Sequence, residues 1–167
     1  MADTKSTAVT NCDSQYPEKL NSPWLTKGTL YTGRGVVAIA TGDANGQVYR
    51  MCRIPSGALI TSMKLFSDAI AGATSAAVGI YAAQGTSGQV GAVVSGSLFA
   101  SGINLTVAQT EPYDVLFNNL AIKNIEKRVW ELAALSADPM TSYDICIVGT
   151  TLSSSYGNVA LMIEYTI

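Results

Sequence analysis

The chain has 167 residues, of which 48% are hydrophobic and 13% charged, with a formal net charge of −2 and no histidine. That length suits one domain whose core needs neither disulfides nor metal, and the composition excludes intrinsic disorder for the bulk of it. The charge balance offers no basic field for nucleic acid. The lack of histidine removes the commonest general base, the histidine-dependent nucleophile systems and the commonest metal ligand.

Residues 1–33 are polar, contain Pro17 and Pro23, and show no sustained hydrophobic period. The opening Met1-Ala-Asp-Thr-Lys-Ser-Thr has no apolar core, so no signal peptide is expected. Tyr16, Leu20, Trp24 and Leu25 are scattered anchors in this segment. They predict an extended arm that lies across its own domain or a partner, with Tyr16, Leu20, Trp24 and Leu25 as candidate interface residues. A disordered leader is the alternative.

From Arg34 to residue 167 the pattern is that of one β-rich domain. Val36–Ala40 is a short apolar run, and Gln47–Ile54 alternates, with Val48, Arg50, Cys52 and Ile54 opposite Tyr49, Met51 and Arg53. Asn45-Gly46 between them favours a tight turn, which predicts an antiparallel hairpin. Asp43-Ala-Asn45-Gly46 lacks the later acidic ligands of a calcium loop and reads as a turn. Strands are predicted at Ala58–Phe66, Ala76–Ala83, Val90–Val94, Leu98–Leu105, Tyr113–Phe117, Tyr143–Thr150 and Asn158–Thr166. The connection at residues 84–91 is Gly-rich but carries no phosphate-loop lysine. Asn124–Leu135 is predicted to be the one helix. Asn124 would cap it, Ile125, Val129, Leu132 and Leu135 would form an apolar stripe, Trp130 would anchor it, and Pro139 would stop it. Short strands with Gly-rich turns and one helix indicate an all-β sandwich or barrel.

Charge is uneven. Residues 54–110 carry only Lys64 and Asp68. Two readings are open: a strand-rich core with neutral loops, or a face buried against neighbouring subunits.

The chemistry-bearing residues nominate no active site. Cys12, Cys52 and Cys146 are an odd number with no Cys-x-x-Cys. They read as reduced thiols, with Cys52 and Cys146 packed in strands. Glu111, Asp114, Asp138, Asp144 and Glu164 are dispersed, and Lys123, Lys127 and Arg128 are offset by Glu126 and Glu131. Asn104-Leu105-Thr106 matches a glycosylation acceptor by chance. The chain is expected not to be an enzyme, and to bind no cofactor, metal, nucleic acid or membrane.

A resemblance adds to this reading. Lys127-Arg-Val-Trp-Glu-Leu132 with the following Ala137-Asp-Pro139, then Tyr143-Asp144 opening a strand, resembles the decoration (cement) proteins of tailed-bacteriophage capsids. Val48–Pro55 leading into Ile60–Leu65, and the N-terminal opening, also fit. The resemblance implies a jelly-roll sandwich on the outside of the virion, made in the cytoplasm of the bacterial host. There it would bind the major capsid protein at subunit junctions, as a homodimer or homotrimer, and stabilise the expanded shell. It implies no catalytic residues. Arm residues 1–33 and the neutral stretch 54–110 would make the contacts. The alternative is a carbohydrate-binding β-sandwich of the tail or fibre, with Tyr31, Tyr81, Tyr113 and Tyr156 lining a sugar site.

Overall fold

The computed structural model describes residues 28–83, 90–152 and 156–167. Among the described residues eight strands form two antiparallel sheets. They are β1 (Leu30–Ile39), β2 (Gln47–Pro55), β3 (Leu59–Ser67), β4 (Ser75–Ala82), β5 (Val93–Ile103), β6 (Gln109–Asp114), β7 (Ser142–Thr151) and β8 (Gly157–Thr166). The first sheet has the order β1-β8-β3-β6, the second β2-β7-β4-β5. Every connection therefore crosses from one sheet to the other, except β4 to β5. This is a jelly roll, in which two Greek keys share one core.

Alternation builds that core. Val159, Leu161 and Ile163 of β8 and Met63 and Leu65 of β3 point inward from the first sheet. Val78 and Ile80 of β4 and Ile145 and Ile147 of β7 meet them from the second, and Phe99 and Leu116 close the side. All of these are almost fully buried. Full burial of one such side chain stabilises the fold by about 1.5–3 kcal/mol.

The expected hairpin of Val36–Ala40 with Gln47–Ile54 does not form. β1 pairs with β8, and β2 pairs with β7. The turn between them is present, but it turns a corner between sheets. Asp43 accepts hydrogen bonds from the Ala40 N–H at 2.8 Å and the Tyr49 hydroxyl at 2.6 Å. The Gly46 N–H donates to the Gly149 carbonyl at 2.7 Å, and Asn45 Oδ1 accepts from the Leu152 N–H at 2.7 Å. The side chains thus fasten the turn to the end of β7. Beyond it β1 and β2 meet face to face. A methyl group at Gly35 would lie 2.1 Å from the Met51 carbonyl oxygen. The register of β2 on β7 slips between Arg50 and Cys52. That slip is why Tyr49, Met51 and Ile54 all face the core while Arg50 and Arg53 face out, against the simple alternation expected.

The predicted helix at Asn124–Leu135 is also corrected. Only Ile122–Asn124, a 3-10 turn, and α1 (Val129–Leu132) are helical. Ile125 and Leu135, expected in the buried stripe, are 53% and 41% exposed, whereas Val129 is fully buried. Tertiary contacts explain the interruption. The Val129 N–H donates to the Ala58 carbonyl and the Trp130 N–H to the Ser56 carbonyl. The two N–H groups that a longer helix would bond internally instead dock the segment on the β2–β3 turn. Glu131 Oε2 accepts from the Arg128 N–H at 2.8 Å and closes the first turn. At the other end Ala134 is left-handed, with φ of 58°. The Ala134 N–H reaches the Glu131 carbonyl and the Leu135 N–H the Trp130 carbonyl, the paired bonds of a Schellman stop.

Two predicted strands, Val90–Val94 and Leu98–Leu105, are one irregular strand, β5. It shifts register three times against β4 and rides over Gly79, where an added methyl would lie 2.1 Å from the Ser95 carbonyl oxygen. β1 begins at Leu30, inside the segment assigned to the arm at residues 1–33.

Candidate interface surfaces

Tyr16, Leu20, Trp24 and Leu25 lie outside the described residues, as does Cys12. The neutral stretch 54–110 is not one face. β3 lies in the first sheet, and β4 and β5 lie in the second. Burial accounts for part of its lack of charge: six of the eight β4 residues are buried, on both faces of the strand. The expectation of a single neutral contact face over 54–110 is therefore corrected. Its exposed large hydrophobic residues are Val93, Val94 and Val107, among small and polar residues that are exposed as well.

The four tyrosines of the carbohydrate reading do not come together. Tyr31 stacks on Tyr165 with ring centroids 5.7 Å apart, and Tyr81 is buried. Tyr113 lies on β6, where its hydroxyl accepts from Asn118 Nδ2. Tyr156 is exposed beside the start of β8, at the end of the sheet opposite Tyr31.

The second sheet carries the main ionic cluster on its outer face. The Asp144 side chain, 3% exposed, accepts from Arg50 Nη2 at 2.8 Å and from Arg53 Nε at 2.8 Å and Nη2 at 3.2 Å. β2 and β7 position these groups, since Arg53 pairs with Asp144 and Arg50 with Cys146 in register. Burial pushes the Cys52 and Cys146 thiols up to about 12, and the Asp144 charge adds to the shift. Both thiols are accordingly protonated at neutral pH, which makes them poor nucleophiles and poor metal ligands. Both are free.

Two further carboxylates are structural. Asp138 accepts from the Ser56 hydroxyl at 2.5 Å and from the Met140 N–H, which holds the loop before β7 against the β2–β3 turn. Those bonds, the Ser56 one first, hold its carboxyl below the usual carboxylate range, with a smaller contribution from the charge of Arg128. Asp43 is lowered in the same way by Tyr49 and the Ala40 N–H. Asn104 Oδ1 accepts from the Thr106 N–H and hydroxyl, a local turn. Among the described residues no group of histidine, cysteine or carboxylate side chains is placed to hold a metal, and no helix is long and apolar enough to cross a membrane.

The outer face of the first sheet is different in character. The row Arg34, Met162, Lys64, Asp114 crosses all four strands, and the row Val36, Ala160, Phe66 runs beside it. Val36 is 69% exposed, and Phe66, Ala160 and Met162 are half-buried. Two shallow depressions of about 310 and 280 Å³ flank the Phe66–Ala160 ridge. The alternation of β3 and β8 marks Phe66 and Met162 as outward-facing. Strand order, which the sequence does not supply, is what joins them into a patch.

The architecture defines a jelly-roll β-sandwich with no assembled catalytic site among its described residues. Solved chains share it. A chain of the Cyanophage Pam1 capsid asymmetric unit is similar with a TM-score of 0.53 and 16% identity, over 100% of this chain and 99% of that one. A chain of the capsid of Ralstonia phage GP4 is similar with a TM-score of 0.58 and 13% identity, over 83% and 84%. At these identities the likeness is one of fold. No protein-family model and no curated protein sequence matches the chain.

Proposed function

We propose that this protein is a structural component of a bacteriophage virion. It binds the outer surface of the capsid at junctions between major capsid subunits and stabilises the expanded shell. The observation that carries this reading is the end-to-end fold likeness to a chain found in a phage capsid, of nearly the same extent as this one. The physical logic is consistent with it. Many weak contacts repeated over a lattice give strong retention through avidity. A protein that binds only the assembled shell opposes its rupture by mass action.

The test is co-sedimentation of the purified full-length chain with expanded capsids and with unassembled capsid subunits. Saturable binding to capsids alone supports the reading. Capsids that pellet without the protein refute it.

A further inference from the structure

The two ends of the sandwich differ. At one end β1 starts, β2 passes into β3 through Ser56–Ala58, and β7 starts. The segment from Ile122 to Met140 is docked on this end by the Val129 and Trp130 N–H groups, which donate to the Ala58 and Ser56 carbonyls. It leaves Ile122, Ile125, Leu135 and Met140 exposed, and Leu30 is exposed where β1 begins. At the other end Asp43, Asn45, Asp68 and Asn104 each accept a backbone N–H and cap the turns. The exposed large hydrophobic residues there are Val107 and Tyr156. Met140 is the most informative of the set. It is 90% exposed and left-handed, with φ of 51°, a conformation that glycine or asparagine adopts with less strain. Its backbone is nonetheless fixed: Asp138 accepts from the Met140 N–H at 2.9 Å and from the Ser56 hydroxyl, whose oxygen accepts from the Thr141 N–H. A long apolar side chain held rigidly in water at a strained position serves no packing need of the fold, and strain of this kind collects at functional sites. Rigid presentation lowers the entropy lost on contact.

We propose that this apolar end is the surface that meets the capsid shell, with Met140 and Ile125 as its anchors, and that the polar end faces away. The inference rests on the proposed function and adds which side of the domain faces the shell. The occupant follows from where the rest of the chain is attached. Residues 1–27, with Tyr16, Leu20, Trp24 and Leu25, join the domain at Gly28, two residues before Leu30 and so at this same end. Fully extended, that length of chain reaches at most roughly 90 Å. Anchors on such a tether, departing beside an apolar end, can engage neighbouring sites of a repeating lattice, which a compact single partner does not offer. The charges of the docked segment, Lys123, Lys127 and Arg128 against Glu126 and Glu131, nearly balance, so the surface that fits is apolar and weakly charged.

The experiment is peroxide oxidation of methionine, read by mass spectrometry, on the full-length chain free and bound to expanded capsids. Free Met140 is expected to oxidise as fast as in the urea-unfolded chain, and at least about fivefold more slowly on capsids, because oxidation follows exposure. Met162, half-buried on the outer face of the first sheet, keeps its free rate, and the buried Met51 and Met63 react in neither state. Co-sedimentation of variants is the second readout. Met140→Asp and Ile125→Asp each weaken capsid binding at least about tenfold, since each puts a carboxylate into an apolar contact. Aspartate tolerates the left-handed conformation better than methionine, so Met140→Asp keeps the fold, which thermal unfolding checks. Val107→Asp, at the polar end, binds as the wild type does. A wild type that does not pellet with capsids refutes the proposed function and this inference with it. Wild-type binding with Met140 oxidised at its free rate, or undiminished binding by both Met140→Asp and Ile125→Asp, overturns this inference alone. Slow oxidation of Met140 in the free chain means that residues 1–27 or a second copy already cover the end, and overturns it too.

Discussion

Gly35→Ala is the substitution that most directly probes the crossing of β1 over β2. The added methyl would sit 2.1 Å from the Met51 oxygen, 2.6 Å from its carbonyl carbon and 2.8 Å from its Cα. Carbon–oxygen contacts settle at about 3.3–3.6 Å, so relief requires movement of more than about 1 Å. The obstacle is backbone, at the bulge of β2 between Arg50 and Cys52, and no rotamer change can yield that space. Overpacking of a tight site costs about 1–3 kcal/mol, and this site belongs at the upper end. A loss of about 3 kcal/mol lowers the midpoint by about 6–12 °C in a domain of this size. Gly102→Ala is the control. Gly102 has φ of 66° but nothing within 4 Å of the added methyl, so it carries only a conformational cost of about 1–2 kcal/mol. Thermal and urea unfolding of the two variants beside the wild type measure the difference. If Gly35→Ala loses no more than Gly102→Ala, β1 and β2 do not meet face to face, and the corner between the sheets is wrongly described.

Other outcomes follow from individual contacts. Ala134→Gly removes the left-handed strain at the Schellman stop and should raise stability by about 0.5–1 kcal/mol in urea titrations, net of the chain entropy that glycine adds. Asp144→Asn leaves Arg50 and Arg53 facing a neutral amide and should destabilise by about 2 kcal/mol, below the figure for a fully buried pair because the arginines are partly exposed. Asp43 and Asp138 have lowered carboxyl values, so their contribution is present above the ordinary carboxylate value near pH ~4 and is lost as pH falls through their lower native values. The acid limb of the stability curve should therefore be shallower in Asp138→Asn. Cys52 and Cys146, with thiols pushed up to about 12, should resist a thiol reagent at pH ~8 until the chain unfolds.

Much of the fold could be read in the residues. The strands at β3, β4, β7 and β8 fall within a residue or two of where alternation and β-branched runs placed them, because a half-buried strand imposes that pattern directly. Pairing could not be read. Asn45-Gly46 does form a tight turn, yet Asp43 and Asn45 bond to Tyr49 and Leu152 in a way that makes it a corner. The helix was misjudged for a related reason. Ile125, Val129, Leu132 and Leu135 have the right spacing, but the N–H groups of Val129 and Trp130 are taken by the β2–β3 turn, a partner some 70 residues away. The weak charge of residues 54–110 was legible, and its cause was not. Burial of β4 on both faces accounts for part of it. The outer patch of the first sheet depends on Arg34, Phe66, Asp114 and Met162 becoming neighbours, which only the strand order brings about.

In the proposed function the chain is a lattice-wide component of a phage capsid exterior. Quantitative peptide counting on gradient-purified virions from the source of the sequence tests this most directly. The expected copy number is a fixed, substantial fraction of the major capsid protein's. Absence from purified virions, or a count confined to a single vertex or tail, would contradict it.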